Sequence, residues 1–235
     1  MFINLIKEER MKKLAFFIFL IFLACSLFKK EEEVMPLAID NWWAYQVTTQ
    51  GKMMPKEIAK VFRKFSSPAT YIDTMKIIGK QSIEGVDGYV TYSTYDKDTS
   101  GIFYYKNDYL WYYYPEDTIS EKVFPQKPKI GDSWIGYEEK EDIGDWDMDG
   151  INDSMATKTE YAIINKENIS VIAGSFKDAY RTQIVATAKV WYSSINQWQT
   201  VYTLTGTIWL KTNVGIVKME IPEFVTQELM AYKVK

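Results

Sequence analysis

Four aspartates have the clearest chemical spacing in the sequence. Asp145, Asp147, Asp149 and Asp153 occupy positions 1, 3, 5 and 9 of one short segment, with Gly150 at position 6. Carboxylates at this spacing place hard oxygen atoms inside a tight turn, and glycine lets the backbone fold around an ion of calcium's size. The segment therefore predicts a calcium-binding loop. A solvated acidic turn is the alternative, because Asp, Asn and Gly favour turns in any case.

The segment also resembles known calcium loops. Its sequence, DWDMDGIND, is similar to the calcium repeats of thrombospondin type 3 and to related bacterial Asp-rich loops. It departs from an EF-hand, because Ala156 stands at position 12, where a bidentate acid belongs, and because the flanks are predicted strands. We therefore expect weak affinity, on the order of 10⁻⁴–10⁻³ M. The resemblance implies side-chain ligands from Asp145, Asp147, Asp149 and Asp153 and a carbonyl ligand from Ile151.

An aromatic segment is a second candidate site. Residues 89–114 contain eleven aromatic side chains, of which Tyr104, Trp111 and Tyr113 are the candidate ligand contacts. An exposed row of such rings would stack on sugars or peptides. More often, aromatic residues of this kind form core and cross-strand pairs.

Composition excludes most catalytic chemistry. The chain has 235 residues with no histidine and one cysteine, so Ser-His and Cys-His catalysis, His-based zinc sites and an intrachain disulfide are all excluded. The run Glu138–Asp142 leaves a carboxylate-based hydrolase open, although such charge runs are usually solvated faces. The net charge of −3 gives no basic field for nucleic acid. We expect a protein that is not an enzyme and does not bind nucleic acid.

The N-terminus is predicted to be a signal peptide over residues 1–24. Lys12 and Lys13 precede an apolar run of 11 residues, Leu14–Ala24, which is shorter than the roughly 20 residues that span a bilayer. The sequence FLAC at 22–25 resembles the lipobox of bacterial lipoproteins. That resemblance implies cleavage before Cys25 and acylation of Cys25 as a membrane anchor. Residues 25–35 are then a charged tether; a plain secretory peptide is the alternative.

The rest of the chain, residues 36–235, shows a period of two. Apolar residues alternate with polar ones along 180–192 and 202–210, which is typical of half-buried antiparallel strands. We predict a mainly β fold: a curved antiparallel sheet, a β-sandwich or a half-barrel. The apolar spacing after Pro55 predicts one short amphipathic helix over 55–65. A faint repeat, Ile39–Trp43 and Ile130–Trp134, allows either one domain or two related halves, 36–125 and 126–235.

Three short motifs resemble bacterial envelope lipoproteins that have no agreed activity. The residues PLAIDNWW at 36–43 are similar to a Pro-Leu-x-x-Gly-x-x-Trp box, with Asp40 in place of the glycine. AGSFK at 173–177 and Trp209–Lys218 resemble an Ala-Gly-x-Phe turn and a closing strand of the same proteins. The resemblance implies the fold and an envelope location, but no mechanism.

Three functions follow from these observations. The first is a non-enzymatic, lipid-anchored envelope protein, a binding or structural module with a calcium loop. It would be attached to the membrane through acylated Cys25, with an envelope protein or a glycan as its partner. It would lie in the outer membrane if the host has two membranes, and otherwise on the outer face of the cell membrane. The alternative is a carrier or chaperone that holds a hydrophobic ligand or client under the helix. The third is a carboxylate-based hydrolase.

Overall fold

The computed structural model describes residues 33–50, 68–116 and 118–235. These residues are nearly all β, with twelve strands and no helix, so the predicted mainly antiparallel β fold is confirmed. The strands are β1 (Trp42–Gln50), β2 (Pro68–Ile83), β3 (Val86–Ser93), β4 (Asp98–Lys106), β5 (Tyr109–Tyr114), β6 (Ile119–Pro125), β7 (Ser133–Gly144), β8 (Asp153–Val171), β9 (Gly174–Tyr192), β10 (Gln197–Lys211), β11 (Gly215–Ile221) and β12 (Val225–Lys233).

The twelve described strands form one antiparallel sheet. Its order is β6-β5-β4-β3-β2-β1-β12-β11-β10-β9-β8-β7, so neighbours are consecutive in the chain except where β1 pairs with β12. Such up-and-down pairing needs only short hairpin connections. The sheet is nearly closed and barrel-shaped, with β6 and β7 at its two edges.

Every second side chain along the strands packs inside this sheet. On β1, Trp43, Tyr45 and Val47 are buried, and the residues between them are only partly covered. On β9, every second residue from Tyr180 to Val190 is buried. Side chains of successive strand residues point to opposite faces, so this pattern defines one inner, apolar face.

Two similar turns precede strands β1 and β7. Asp40 (φ 71°) donates its amide hydrogen to the Ile77 carbonyl at 3.0 Å, and Gly131 (φ 92°) donates to the Ile163 carbonyl at 2.9 Å. Each turn is followed by a buried tryptophan at the second position of the next strand, Trp43 in β1 and Trp134 in β7. The two sequence segments that looked similar therefore share a backbone conformation and hydrogen-bonding pattern.

The two edges of the sheet meet through side chains. The Trp134 indole of β7 donates a hydrogen bond of 2.9 Å to the Lys122 carbonyl of β6. The Tyr161 hydroxyl of β8 donates to Glu121 Oε1 of β6 at 2.6 Å. We call these contacts the seam.

Several sequence predictions lie outside the described residues. They are the signal peptide, Cys25, most of the tether and the helix predicted over 55–65. The described residues themselves contain no helix. The last residues of the predicted tether belong to the folded body instead, because Val34 and Met35 are buried in the core. Within the described ranges, no helix has the length and hydropathy that crossing a membrane requires.

Candidate functional site

The acidic loop connects the end of β7 to the start of β8. Residues 145–152 form the turn, and Asp153 is the first residue of β8. The turn needs two left-handed residues, Met148 at φ 61° and Gly150 at φ 92°. Glycine adopts that conformation freely, as the sequence predicted for Gly150.

Two of the aspartates shape the turn through their own backbone neighbours. Asp145 accepts hydrogen bonds from the amides of Asp149 at 2.9 Å and Gly150 at 2.8 Å. Asp149 Oδ1 accepts one from the amide of Ile151 at 2.8 Å. Short side-chain acceptors commonly hold tight turns in this way.

Three carboxylates converge in this turn. Oxygen atoms of Asp145, Asp147 and Asp149 lie within 4.8 Å of one another. Asp147 Oδ1 is buried and has no hydrogen-bond partner. A buried carboxylate oxygen without a partner is unfavourable, and so are three like charges at this separation. A bound cation would relieve both, so the arrangement suits a hard metal ion.

Asp153 has a different environment from these three. Its side chain is fully buried, and its oxygens accept hydrogen bonds from the amides of Ser193 (2.8 Å), Trp146 (2.9 Å) and Asp147 (3.1 Å). The Ser193 amide makes the largest contribution to a lowered pKa of Asp153, and burial opposes it. In this structure Asp153 is a hydrogen-bond anchor that fixes the turn; its predicted role as a metal ligand stays a prediction.

The turn between β9 and β10 completes the site, and sequence reasoning missed it. The Ser193 hydroxyl lies 3.0 Å from Asp149 Oδ2 and from Asp153 Oδ1, and 3.4 Å from the Ile151 carbonyl oxygen. The Ser194 hydroxyl donates to Asp147 Oδ2. The serines mark a turn by composition, but no local signal indicates that this turn meets a loop 40 residues earlier.

The residues that flank the loop are also tied to it. Asp142 accepts hydrogen bonds from the Asn152 amide group at 2.9 Å and from the Gly144 amide at 2.8 Å. These bonds, the Asn152 one first, lower the pKa of Asp142. The loop is therefore held at its base by Asp142 and Asp153 and along its side by Ser193 and Ser194.

The candidate aromatic contacts lie elsewhere, on β4 and β5. Tyr104 is only 1% exposed, packs with Ile83 and Ile102, and donates a hydrogen bond to the Ser120 hydroxyl at 3.0 Å. Trp111 and Tyr113 are half-buried against the same cluster. Tyr104 is thus placed as a packing residue, out of reach of a ligand at the surface.

Two further features bear on the carrier and hydrolase alternatives. A depression of about 460 Å³ is lined by residues of β7, β8 and β9, among them Ile135, Glu160 and Gln183. Its wall combines apolar side chains, among them Trp134 and Val185, with the polar side chains of Ser133, Glu160 and Gln183, and the carrier alternative stays a prediction. The carboxylates of Glu138–Asp142 lie on the edge strand β7, where most are exposed.

Comparisons with known proteins give two solved structures. One is described as an exported protein of Bacteroides fragilis with a YmcC-like fold, at 12% identity and a TM-score of 0.45, covering 86% of this chain and 99% of that one. The other is described as a lipoprotein of Parabacteroides distasonis, at 15% identity and a TM-score of 0.43, covering 87% and 100%. These descriptions apply to those two proteins. No family model and no curated protein matches the chain.

Proposed function

We propose that the protein is a non-enzymatic, lipid-anchored envelope protein whose loop 145–153 binds calcium. The observation that carries the calcium proposal is the convergence of Asp145, Asp147 and Asp149 around a buried, unpartnered Asp147 oxygen. The anchor is supported by the lipobox-like FLAC sequence that ends at Cys25. Both features fit a protein outside the cytoplasm, where calcium is abundant.

Several features of the loop favour calcium over magnesium. The donor set would be the carboxylates of Asp145, Asp147 and Asp149 with the Ile151 carbonyl, and the Ser193 hydroxyl lies beside them. Calcium accepts six to eight oxygens in an irregular shell, whereas magnesium demands a small octahedron and holds its own water. An open turn with exposed Asp145 and Asp149 suits the larger and more tolerant ion.

A thermal unfolding experiment tests the calcium proposal. At a calcium concentration ten times the dissociation constant, binding stabilises the folded state by RT ln 11, roughly 1.4 kcal/mol, which is about 3–6 °C for a protein of this size. Magnesium should raise the midpoint less. The double variant Asp147→Asn, Asp149→Asn should show no rise with calcium, and its metal-free midpoint should equal or exceed that of the wild type, since two crowded charges are removed.

The matched control changes two acids outside the loop. Asp178 and Glu138 are exposed on β9 and β7, so Asp178→Asn, Glu138→Gln also removes two charges from the surface. This control should keep the full response to calcium. If calcium stabilises the loop variant as much as the control, it binds elsewhere and the proposed site is wrong.

A further inference from the structure

The residues between the loop aspartates are apolar and exposed. Trp146 is 53% exposed, Met148 89% and Ile151 61%. In the sequence D-W-D-M-D-G-I, the carboxylates converge on one point, whereas the intervening side chains are left in water. Large apolar side chains concentrated at one turn mark an interaction surface more often than scattered ones do.

The neighbouring turn adds to the same surface. Ser194 is hydrogen-bonded to Asp147, and the next residue, Ile195, is half-exposed. Trp198, at the start of β10, is exposed beside Trp191, with 5.8 Å between the ring centroids. We call Trp146, Met148, Ile151, Ile195 and Trp198 together the loop tip.

Two lysines lie next to the loop tip. Lys140 Nζ is 5.3 Å from the centre of the Trp198 ring. Lys189 is exposed and faces the same side, since both lysines pair with Ala156 across adjacent strands. The surface thus combines apolar side chains, two cations and three carboxylates, whose charge of −3 a bound calcium would reduce to −1.

We propose that the loop tip docks onto an anionic phospholipid bilayer, with the calcium held by Asp145, Asp147 and Asp149 bridging to lipid phosphates. This inference rests on the calcium site proposed above. Without the metal, the carboxylates repel a negative lipid surface. With calcium bound, the four proposed donors of the loop leave part of a shell of six to eight oxygens for lipid phosphates to fill.

The arrangement of the apolar residues favours a bilayer over a protein partner. A stable protein interface needs roughly 800 Å² of continuous surface on each side. The loop tip supplies five apolar side chains, far fewer than the roughly 20–30 residues that each side of such an interface contributes. A bilayer accepts individual side chains, tryptophan is favoured at its headgroup level, and lysines pair with its anionic lipids.

A fluorophore at the loop tip tests this directly. Cys25 is the one cysteine of the chain, so the full chain with Cys25→Ser and Met148→Cys carries an environment-sensitive label only at position 148. We expect its emission to move to shorter wavelength with calcium and phosphatidylcholine vesicles that contain phosphatidylserine. Chelation should reverse the shift, and vesicles of phosphatidylcholine alone should give none. The label reports its own surroundings, so attachment of the N-terminal segment to the vesicle does not produce the signal.

Matched variants locate the effect. Ile172→Cys places the label at an exposed isoleucine beyond the other end of β8, and its emission should not change. Adding Trp146→Ser and Ile195→Ser to the Met148→Cys protein should weaken the shift but leave the heat of calcium binding intact.

Calorimetry on the same proteins separates the two proposals. Calcium heat without any vesicle-dependent shift would overturn the docking inference and leave the calcium site standing, with a protein partner then the better occupant of the loop tip. An equal shift without calcium would overturn the bridging role of the metal. If calcium gives no heat at all, the proposed calcium function fails, and the inference fails with it.

Discussion

Asp147 and Asp153 are the same residue type in one loop, but their surroundings give them different roles. Asp153 is buried among the amides of Trp146, Asp147 and Ser193, which satisfy both of its oxygens. Asp147 keeps one buried oxygen without a partner. Hydrogen bonds to a carboxylate stabilise its charge within the protein, whereas an unsatisfied oxygen needs a ligand for the same stabilisation. Asp153 therefore fixes the shape of the loop, whereas Asp147 has an oxygen left for the proposed ion.

Residue spacing was enough to predict part of this site. Alternating aspartates and a glycine indicated the turn, and the structure brings Asp145, Asp147 and Asp149 together. The contributions of Ser193 and Ser194 come from a distant hairpin, and their position depends on the register between β8 and β9. A sequence pattern carries no information about such a long-range contact.

Glu121 is an acid buried at the seam, where burial disfavours its charged form. Burial raises its pKa above the ordinary value of 4.5, and hydrogen bonds from Tyr161 and Tyr114 partly offset the rise. Between pH 4.5 and the raised value, the folded protein binds more protons than the unfolded chain, so stability falls as pH rises. Glu121→Gln should therefore raise the thermal midpoint near pH 7, and the gain should vanish near pH 4.

The control for this prediction is Glu138→Gln, which changes an exposed acid on the opposite edge strand. Its midpoint should differ little from that of the wild type, and by a similar amount at both pH values. A lower midpoint for Glu121→Gln at neutral pH would mean that the two tyrosine hydrogen bonds outweigh the penalty of burial.

At the scale of elements, short turns determine where strands begin. Asn107 and Asp108 both adopt left-handed conformations in the tight turn between β4 and β5. Turn residues have local preferences, so such turns can be predicted. The orientation of Tyr104 could not be predicted in this way. In a run of aromatic residues both faces of the strand carry similar side chains, so the pattern does not indicate which face is buried.

The turn that leads into β7 gives a prediction about backbone conformation. Gly131 adopts φ 92°, and an added Cβ would have no atom within 4 Å, so the effect of Gly131→Ala comes from the backbone alone. A left-handed alanine costs about 1–2 kcal/mol, and this loss should appear in the free energy of unfolding in urea.

Gly79 provides the matched comparison. Its added Cβ would also meet no atom within 4 Å, but its φ is not left-handed. Gly79→Ala should leave stability unchanged or raise it by about 0.4–1 kcal/mol, because alanine restricts the unfolded chain. Equal losses in the two variants would show that the Gly131 turn is not what sets the start of β7.

At the scale of the molecule, the two edges of the sheet meet through side chains at the seam. Gly136 has no room for a side chain, since an added Cβ would lie 2.4 Å from the Tyr161 ring and 3.0 Å from the Lys122 carbonyl. This close approach lets Trp134 and Tyr161 reach β6. The period-two pattern predicted the strands, but near-closure depends on contacts between strands that are far apart in sequence.

The proposed acylation of Cys25 would attach the whole molecule to a membrane. Labelled palmitate should be incorporated into the wild-type protein in a bacterial host and should be lost in Cys25→Ser, because the lipobox resemblance implies acylation of Cys25. A control, Ser26→Ala, should keep the label. Wild-type protein that is released in soluble form without label would contradict the anchor.

The most direct test of calcium binding by the loop 145–153 is a calorimetric calcium titration of the wild-type protein, with tryptophan emission followed in parallel. Trp146 lies between two of the converging aspartates, so its emission should change as calcium binds. We predict one binding event per chain at a dissociation constant on the order of 10⁻⁴–10⁻³ M, lost in Asp147→Asn, Asp149→Asn. No heat and no change in emission up to roughly ten times that concentration would contradict the proposed calcium site and leave the loop as an acidic turn.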